Sequence, residues 1–211
     1  MTDGVDATPG PERLDVTQAR ILGSLVEKEA TTPESYPLTA NAVQLACNQK
    51  TARDPVLELD AGEVGHALRA LEARRLVRSV HGARAQRYEH RFAESYSVTR
   101  QQQAALATLL LRGAQTASEL LARGERLAPI AGGDDARALL ERLQQRGLVV
   151  NLGRGPGQRE DRWMHTLCGP VSAADLPPPP RAAAGTRESL EARVEALEAE
   201  VARLAARLEG N

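Results

Sequence analysis

Arginine dominates the side chains of this chain that can do chemistry. Between Arg74 and Arg91 stand Arg74, Arg75, Arg78, Arg84, Arg87 and Arg91, offset only by Glu89. Between Arg142 and Arg162 stand Arg142, Arg146, Arg154, Arg159 and Arg162, offset by Glu160 and Asp161. Guanidinium groups gathered in this way suit the neutralisation of phosphate. The alternative is a solvated surface in a chain whose cations are nearly all arginine. A third cluster, Asn48-Gln49-Lys50-Thr51-Ala52-Arg53-Asp54-Pro55, reads as a polar loop. It suits a phosphate or a partner. It suits equally a structural turn, in which Asn48 closes a helix and Arg53 with Asp54 pins the approach to Pro55.

Covalent and metal chemistry find no support. The sequence has no Gly-x-Ser-x-Gly and no His-Glu-x-x-His. Cys47 and Cys168 lack a base nearby in sequence, and the four histidines, at 66, 81, 90 and 165, lack the spacing of metal ligands. Gly153-x-Gly155-x-Gly157 lacks the helix start and the Lys-Ser/Thr that make a phosphate loop work. No catalytic residue, metal or cofactor is expected, and the chain is not expected to be an enzyme. Tyr88-x-His90 and Trp163-x-His165 have the two-residue strand period, which places ring and imidazole on one sheet face. Base stacking is one use of such pairs. Capping of a core, with the imidazole meeting a carbonyl, is the stronger one.

The elements that position these groups occur twice. Leu71-Glu72-Ala73-Arg74-Arg75-Leu76-Val77 ends a helix and enters a strand, and so does Leu143-Gln144-Gln145-Arg146-Gly147-Leu148-Val149. Each is followed by a Gly- and Arg-rich turn and a second strand. In the first half, Thr17 can cap a helix carrying Ile21, Leu22, Leu25 and Val26, which Thr31-Thr32-Pro33 stops. Thr39 starts a second helix burying Val43, Ala46 and Cys47, and Asp60-x-x-Glu63 boxes a third with Val64, Leu68 and Leu71 inward. The second half repeats the order. Thr99-x-x-Gln102 and Thr116-x-x-Glu119 cap two helices, and a third buries Ala136, Leu139, Leu140 and Leu143 before Gly147. Three helices and a β-hairpin make a winged helix. The expected class is therefore mainly α with small hairpins (α+β): winged-helix domains over 16–94 and 95–169, after a disordered leader at 1–15.

Beyond Gly169-Pro170 the character changes. A Pro- and Ala-rich linker over 170–187 contains Pro177 to Pro180. A terminal helix over 188–211 then carries Leu190, Val194, Leu197, Val201, Leu204 and Leu208 at heptad spacing. Val at a and Leu at d favour a parallel two-stranded coiled coil, hence a homodimer, the alternative being a helix that folds back on its own domain. Only about three heptads are present, so the seam is marginal alone.

Charge and composition set the outer limits. The first repeat has 11 basic and 9 acidic residues, the second 10 and 7, and both ends are acidic, for a net charge of −1. One Phe, one Trp and three Tyr leave the cores to Leu, Val and Ala, which disfavours a β-sandwich. No apolar run approaches the roughly 20 residues of a membrane helix. With two distant cysteines and a polar start, a cytoplasmic location is expected.

Several motifs together resemble the bacterial YceH-like family. They are Glu27-Lys28-Glu29-Ala30-Thr31-Thr32-Pro33, Tyr36-Pro37-Leu38, Ala46-Cys47-Asn48-Gln49-Lys50 and Arg53-Asp54-Pro55-Val56-Leu57-Glu58-Leu59 in the first half. Leu109-Leu110-Leu111-Arg112-Gly113-x-Gln115-Thr116, Glu125-Arg126-Leu127 and Pro156-Gly157-Gln158-Arg159-Glu160 carry the resemblance in the second. It runs from about Val16 to Leu167 and implies two winged-helix domains and a dimer, with no established activity. Asp54 stands where the family pattern has Glu. The linker and heptad tail read as an elaboration of some members.

From the residues, the expected function is regulator-like binding of double-stranded DNA, non-specific or weakly specific. Arg75, Arg78, Arg84, Arg87, Arg154 and Arg159 would meet phosphate, with Asn48, Lys50 and Arg53 as a second patch. Acidic starts on both third helices, Asp60 to Glu63 and Asp134-Asp135, argue against base reading. The alternative is a protein–protein scaffold that binds an unidentified protein and no nucleic acid.

Overall fold

The computed structural model describes residues 13–81, 85–155 and 158–172, with Glu198. One compact unit reaches to Asp175, and a second spans Leu176–Asn211. The expected coiled-coil seam, Leu190 to Leu208, and Arg84 lie outside the described residues.

Among the described residues the chain is α+β. The first half runs α1 (Val16–Thr31), β1 (Leu38–Thr39), α2 (Ala40–Cys47), α3 (Ala61–Ala73), β2 (Val77–His81), β3 (Gln86–His90) and α4 (Phe92–Tyr96). The second runs α5 (Arg100–Arg112), β4 (Gln115–Thr116), α6 (Ala117–Gly124), α7 (Gly133–Gln145), β5 (Val149–Asn151) and β6 (Arg162–His165). Each half builds a three-stranded antiparallel sheet, ordered β1-β3-β2 and β4-β6-β5. The short first strands β1 and β4 are not signalled by alternation, because two residues are too few to show a period.

The two halves repeat each other in register. Leu38 faces Tyr88 where Gln115 faces Trp163, and Val77 faces His90 where Val149 faces His165. Both third helices end alike. Leu76 N–H donates to Leu71 O at 2.9 Å and Arg75 N–H to Glu72 O at 2.9 Å. Leu148 N–H donates to Leu143 O at 3.0 Å and Gly147 N–H to Gln144 O at 2.8 Å. This is a Schellman stop, which places one residue in the left-handed region. Gly147 takes it at φ 68°, and Arg75 takes it at φ 58°.

Local signals account for most helix starts. Reciprocal capping boxes close α3 (Asp60, Glu63), α5 (Thr99, Gln102) and α6 (Thr116, Glu119), and Thr39 caps α2. The start of α1 differs from expectation. Asp15, rather than Thr17, is its cap, with Gln18 reaching back to the Asp15 N–H. The fold also begins before residue 16: Leu14 is buried and its N–H donates to Leu167 O at 2.8 Å. A further difference concerns the expected boundary at 94/95, which cuts through α4. There Phe92 and Tyr96 are buried with ring centroids 4.7 Å apart.

The halves share one core. Ala19 to Val26 of α1 are buried without a break, and so are Gln103 to Leu111 of α5. Helices covered on every side are central, whereas the outer α7 keeps an apolar stripe of Ala136, Leu139, Leu140 and Leu143. Gly23 lets α1 approach α5 closely, since a Cβ there would stand 2.9 Å from Leu111 Cγ. Loops add ties between the halves. Asp54 N–H donates to Leu111 O at 2.8 Å, and Arg146 donates to Tyr96 O at 2.5 Å.

Candidate nucleic-acid interface

Most of the described arginines of the first hairpin are engaged within the fold, two of them by carboxylates. Arg78 and Glu89 are cross-strand partners, and Arg78 Nη2 lies 2.6 Å from Glu89 Oε1 with 58% of the arginine side chain exposed. Arg87, on β3, donates to Pro37 O at 2.7 Å and to Ser35 O at 3.4 Å. Arg91 pairs with Glu94 at 2.5 Å, and Arg74 donates to Gln18 Oε1 at 2.8 Å. The Arg75 side chain is exposed, with no hydrogen bond or ion pair among the described residues.

The second hairpin follows the same pattern. Arg154 Nε lies 3.2 Å from Asp161 Oδ1, and Arg162 Nη2 lies 3.2 Å from Glu119 Oε2. Glu160 takes the Ser118 hydroxyl at 2.7 Å, and this bond holds its pKa down. Arg159 is exposed and makes no such bond among the described residues. An exposed ion pair is worth at most about 1 kcal/mol, so a competing phosphate displaces it readily. Its carboxylate stays in place, however, and opposes the incoming anion.

The polar loop corrects an expectation. Arg53 is not a surface cation: it is only 6% exposed, and it bonds Glu27 Oε2 at 2.6 Å, Ala46 O and Gln49 Oε1. Asn48 caps the end of α2 and clamps Leu59, accepting from its N–H at 2.9 Å and donating to its carbonyl at 2.8 Å. Lys50 alone of this patch is exposed and uncommitted among the described residues. The loop therefore ties α1, α2 and α5 together. Its polar density serves buried backbone carbonyls, which must be paired.

Sequence reading missed several polar groups that the fold assembles. Arg20 sits inside the apolar stripe of α1, 2% exposed, donating to Cys47 O at 3.2 Å and Pro55 O at 2.6 Å. Burial, then the nearby Arg53 charge, lowers its pKa. Cys47 lies beside it, and burial pushes the thiol up to about 11. That is a packed thiol, not a nucleophile. His90 Nδ1 accepts from Phe92 N–H, which leaves Nε2 to donate to Glu29 Oε2 at 3.0 Å. This bond holds the Glu29 carboxyl below its usual range. His165 and Trp163 are buried in the second sheet, and His165 Nδ1 has no hydrogen-bond partner. Desolvation lowers that imidazole to about 4.

Where α1, α4 and α5 meet, a cavity of ≈ 420 Å³ is lined by Glu29, Arg100 and Gln103 among apolar side chains. Among the described residues no group of three or more His, Cys, Asp or Glu is placed to hold a metal ion. No helix among them is long and apolar enough to cross a membrane.

Comparison with known proteins adds the lineage. A UPF0502 protein of Stenotrophomonas maltophilia (strain K279a) is 55% identical over 213 residues, covering 99% of this chain and 98% of the relative. A UPF0502 protein of Xanthomonas campestris pv. campestris (strain B100) is 56% identical over 198 residues, covering 90% and 89%. One from Xanthomonas axonopodis pv. citri (strain 306) is 54% identical over 204 residues, covering 93% and 91%. The first alignment runs through nearly the whole chain, so the tail is shared with that relative. The family described as "Protein of unknown function, DUF480" matches residues 14–158, from the buried Leu14 into the second hairpin. On this likeness the chain belongs to the DUF480/UPF0502 family of bacterial proteins.

Proposed function

We propose that each half is a winged-helix unit and that the fused pair is a non-catalytic protein-binding module. One observation carries the choice over duplex recognition. Of the cations expected to meet phosphate, Arg53, Arg78, Arg87 and Arg154 already have acceptors within the fold. The third helices add to it. Asp60 and Glu63 of the first, and Asp134 and Asp135 of the second, are exposed at the turns that a DNA-reading helix would present to the groove. An exposed apolar side chain on α2 supports the reading. Leu45 is 64% exposed beside a groove of ≈ 230 Å³ walled by Leu38, Ala42 and Ala46.

A second reading, weak contact with a nucleic-acid backbone, is favoured by Arg75, Lys50 and Arg159. These are exposed and uncommitted among the described residues. Fluorescence anisotropy with a random duplex across a salt series separates the two. Three phosphate contacts give a slope of about −2.7 in log K against log salt. The module reading expects no binding that salt weakens in this way. It further expects a protein captured after nuclease treatment to be retained by the Arg75→Ser, Arg159→Ser variant and lost by Leu45→Glu. The reverse pattern would overturn it. The heptad tail would supply self-association, so a chain lacking Ser189 to Asn211 should have a lower mass in solution.

A further inference from the structure

The partner surface leaves the ≈ 420 Å³ cavity between the two halves without a role. Its volume falls in the range of small-molecule sites. Its polar lining is unusual in what it leaves unpaired. Gln103, on α5, is 8% exposed and lines the cavity, and its side chain makes no hydrogen bond among the described residues. Its amide opens on the cavity and is free to donate to and accept from a molecule held there. Glu29 receives His90 on Oε2, which leaves Oε1 without a bond. Arg100 lines the same cavity beyond ion-pair distance of Glu29, and its charge adds to the bond from His90 in holding that carboxyl low. Val26, Ala104 and Leu127 supply apolar wall. A carboxylate and a guanidinium that share a cavity without bridging it can both be met by one molecule with two charges.

We propose that this cavity binds a small zwitterion with an apolar body, an apolar amino acid or its dipeptide. Arg100 takes the carboxylate, Glu29 takes the ammonium, and the Gln103 amide pairs with the polar atoms between them. The apolar side chain packs on Val26, Ala104 and Leu127. The ligand bridges α1 and α5 and so binds both halves at once. This assignment does not depend on the partner reading, because it uses neither α2 nor the hairpins.

Titration calorimetry on the full chain tests it, with L-leucine and leucyl-leucine as the zwitterions. The single-charge analogues are 4-methylpentanoate and 3-methylbutylamine. Binding of either zwitterion is expected, with each analogue weaker by about tenfold or more. Leucine against leucyl-leucine tells which size the cavity takes. Arg100→Gln should weaken the zwitterion by about tenfold while leaving the unliganded melting temperature unchanged, since Arg100 is exposed. Gln103→Leu should also weaken binding. No heat from either zwitterion up to about 10 mM, equal binding of the analogues, or unaltered binding by Arg100→Gln would each overturn the proposal.

Discussion

Glu27 Oε2 lies 2.6 Å from Arg53 Nη2, and the arginine side chain is wholly enclosed while the glutamate keeps 15% exposure. The pair joins the body of α1 to the loop before Pro55. From there Asp54 N–H reaches the end of α5. A residue that looks like a surface cation is therefore a structural pin between the halves.

Removing one partner of this pair leaves a buried charge unmet. Glu27→Gln should destabilise the fold by about 3–5 kcal/mol. The double variant Glu27→Leu, Arg53→Met should recover much of that loss, because no charge remains buried. Urea denaturation midpoints check both. A single variant as stable as the parent would show that Arg53 is solvated.

The close approach of α1 to α5 sets a second expectation. Gly23→Ala gains about 1 kcal/mol of helix propensity but drives a methyl against Leu111 and Leu110. Overpacking costs about 1–3 kcal/mol, so the net change should be a loss. Gly23→Leu should lose several times more. A thermal melt in which Gly23→Ala stabilises would mean that the two helices separate easily.

His165 makes stability pH-dependent. Its pKa falls from 6.5 in the unfolded chain to about 4 in the fold, through desolvation. Between these values the unfolded state binds the extra proton, so stability rises with pH. The contribution is complete above pH 6.5 and is lost as pH falls towards about 4, by about 3 kcal/mol. His165→Leu should flatten this part of the curve, and parallel pH profiles of the two proteins would contradict the assignment.

The repeated helix stop offers a fourth test. Gly147 and Arg75 occupy the same left-handed position at φ 68° and 58°. An L side chain there costs about 1–2 kcal/mol relative to its relaxed conformation. Gly147→Ala should therefore destabilise by about 1 kcal/mol. Arg75→Gly should not destabilise, although it removes an exposed cation. A chemical melt of the two variants shows whether the equivalence holds energetically.

Much of the fold was legible along the chain because its signals are local. Asp60-x-x-Glu63, Thr99-x-x-Gln102 and Thr116-x-x-Glu119 are boxes closed within four residues, and all three form. The apolar faces of α3 and α7 are stripes within one helix. The duplication was visible because Leu71 to Val77 and Leu143 to Val149 must meet the same backbone stop.

Tertiary structure alone decided which distant groups several of the arginines meet. Arg53 finds Glu27 26 residues back, Arg87 finds Pro37 O 50 residues back, and Arg146 finds Tyr96 O 50 residues back. No spacing rule encodes such pairs, since they exist only after the helices and strands have packed. The cavity between α1 and α5 has the same origin. Glu29, Arg100 and Gln103 read as ordinary helix-surface residues until the two halves close on each other. Periodicity states which face of an element is apolar, whereas packing determines which polar groups that burial leaves paired or alone.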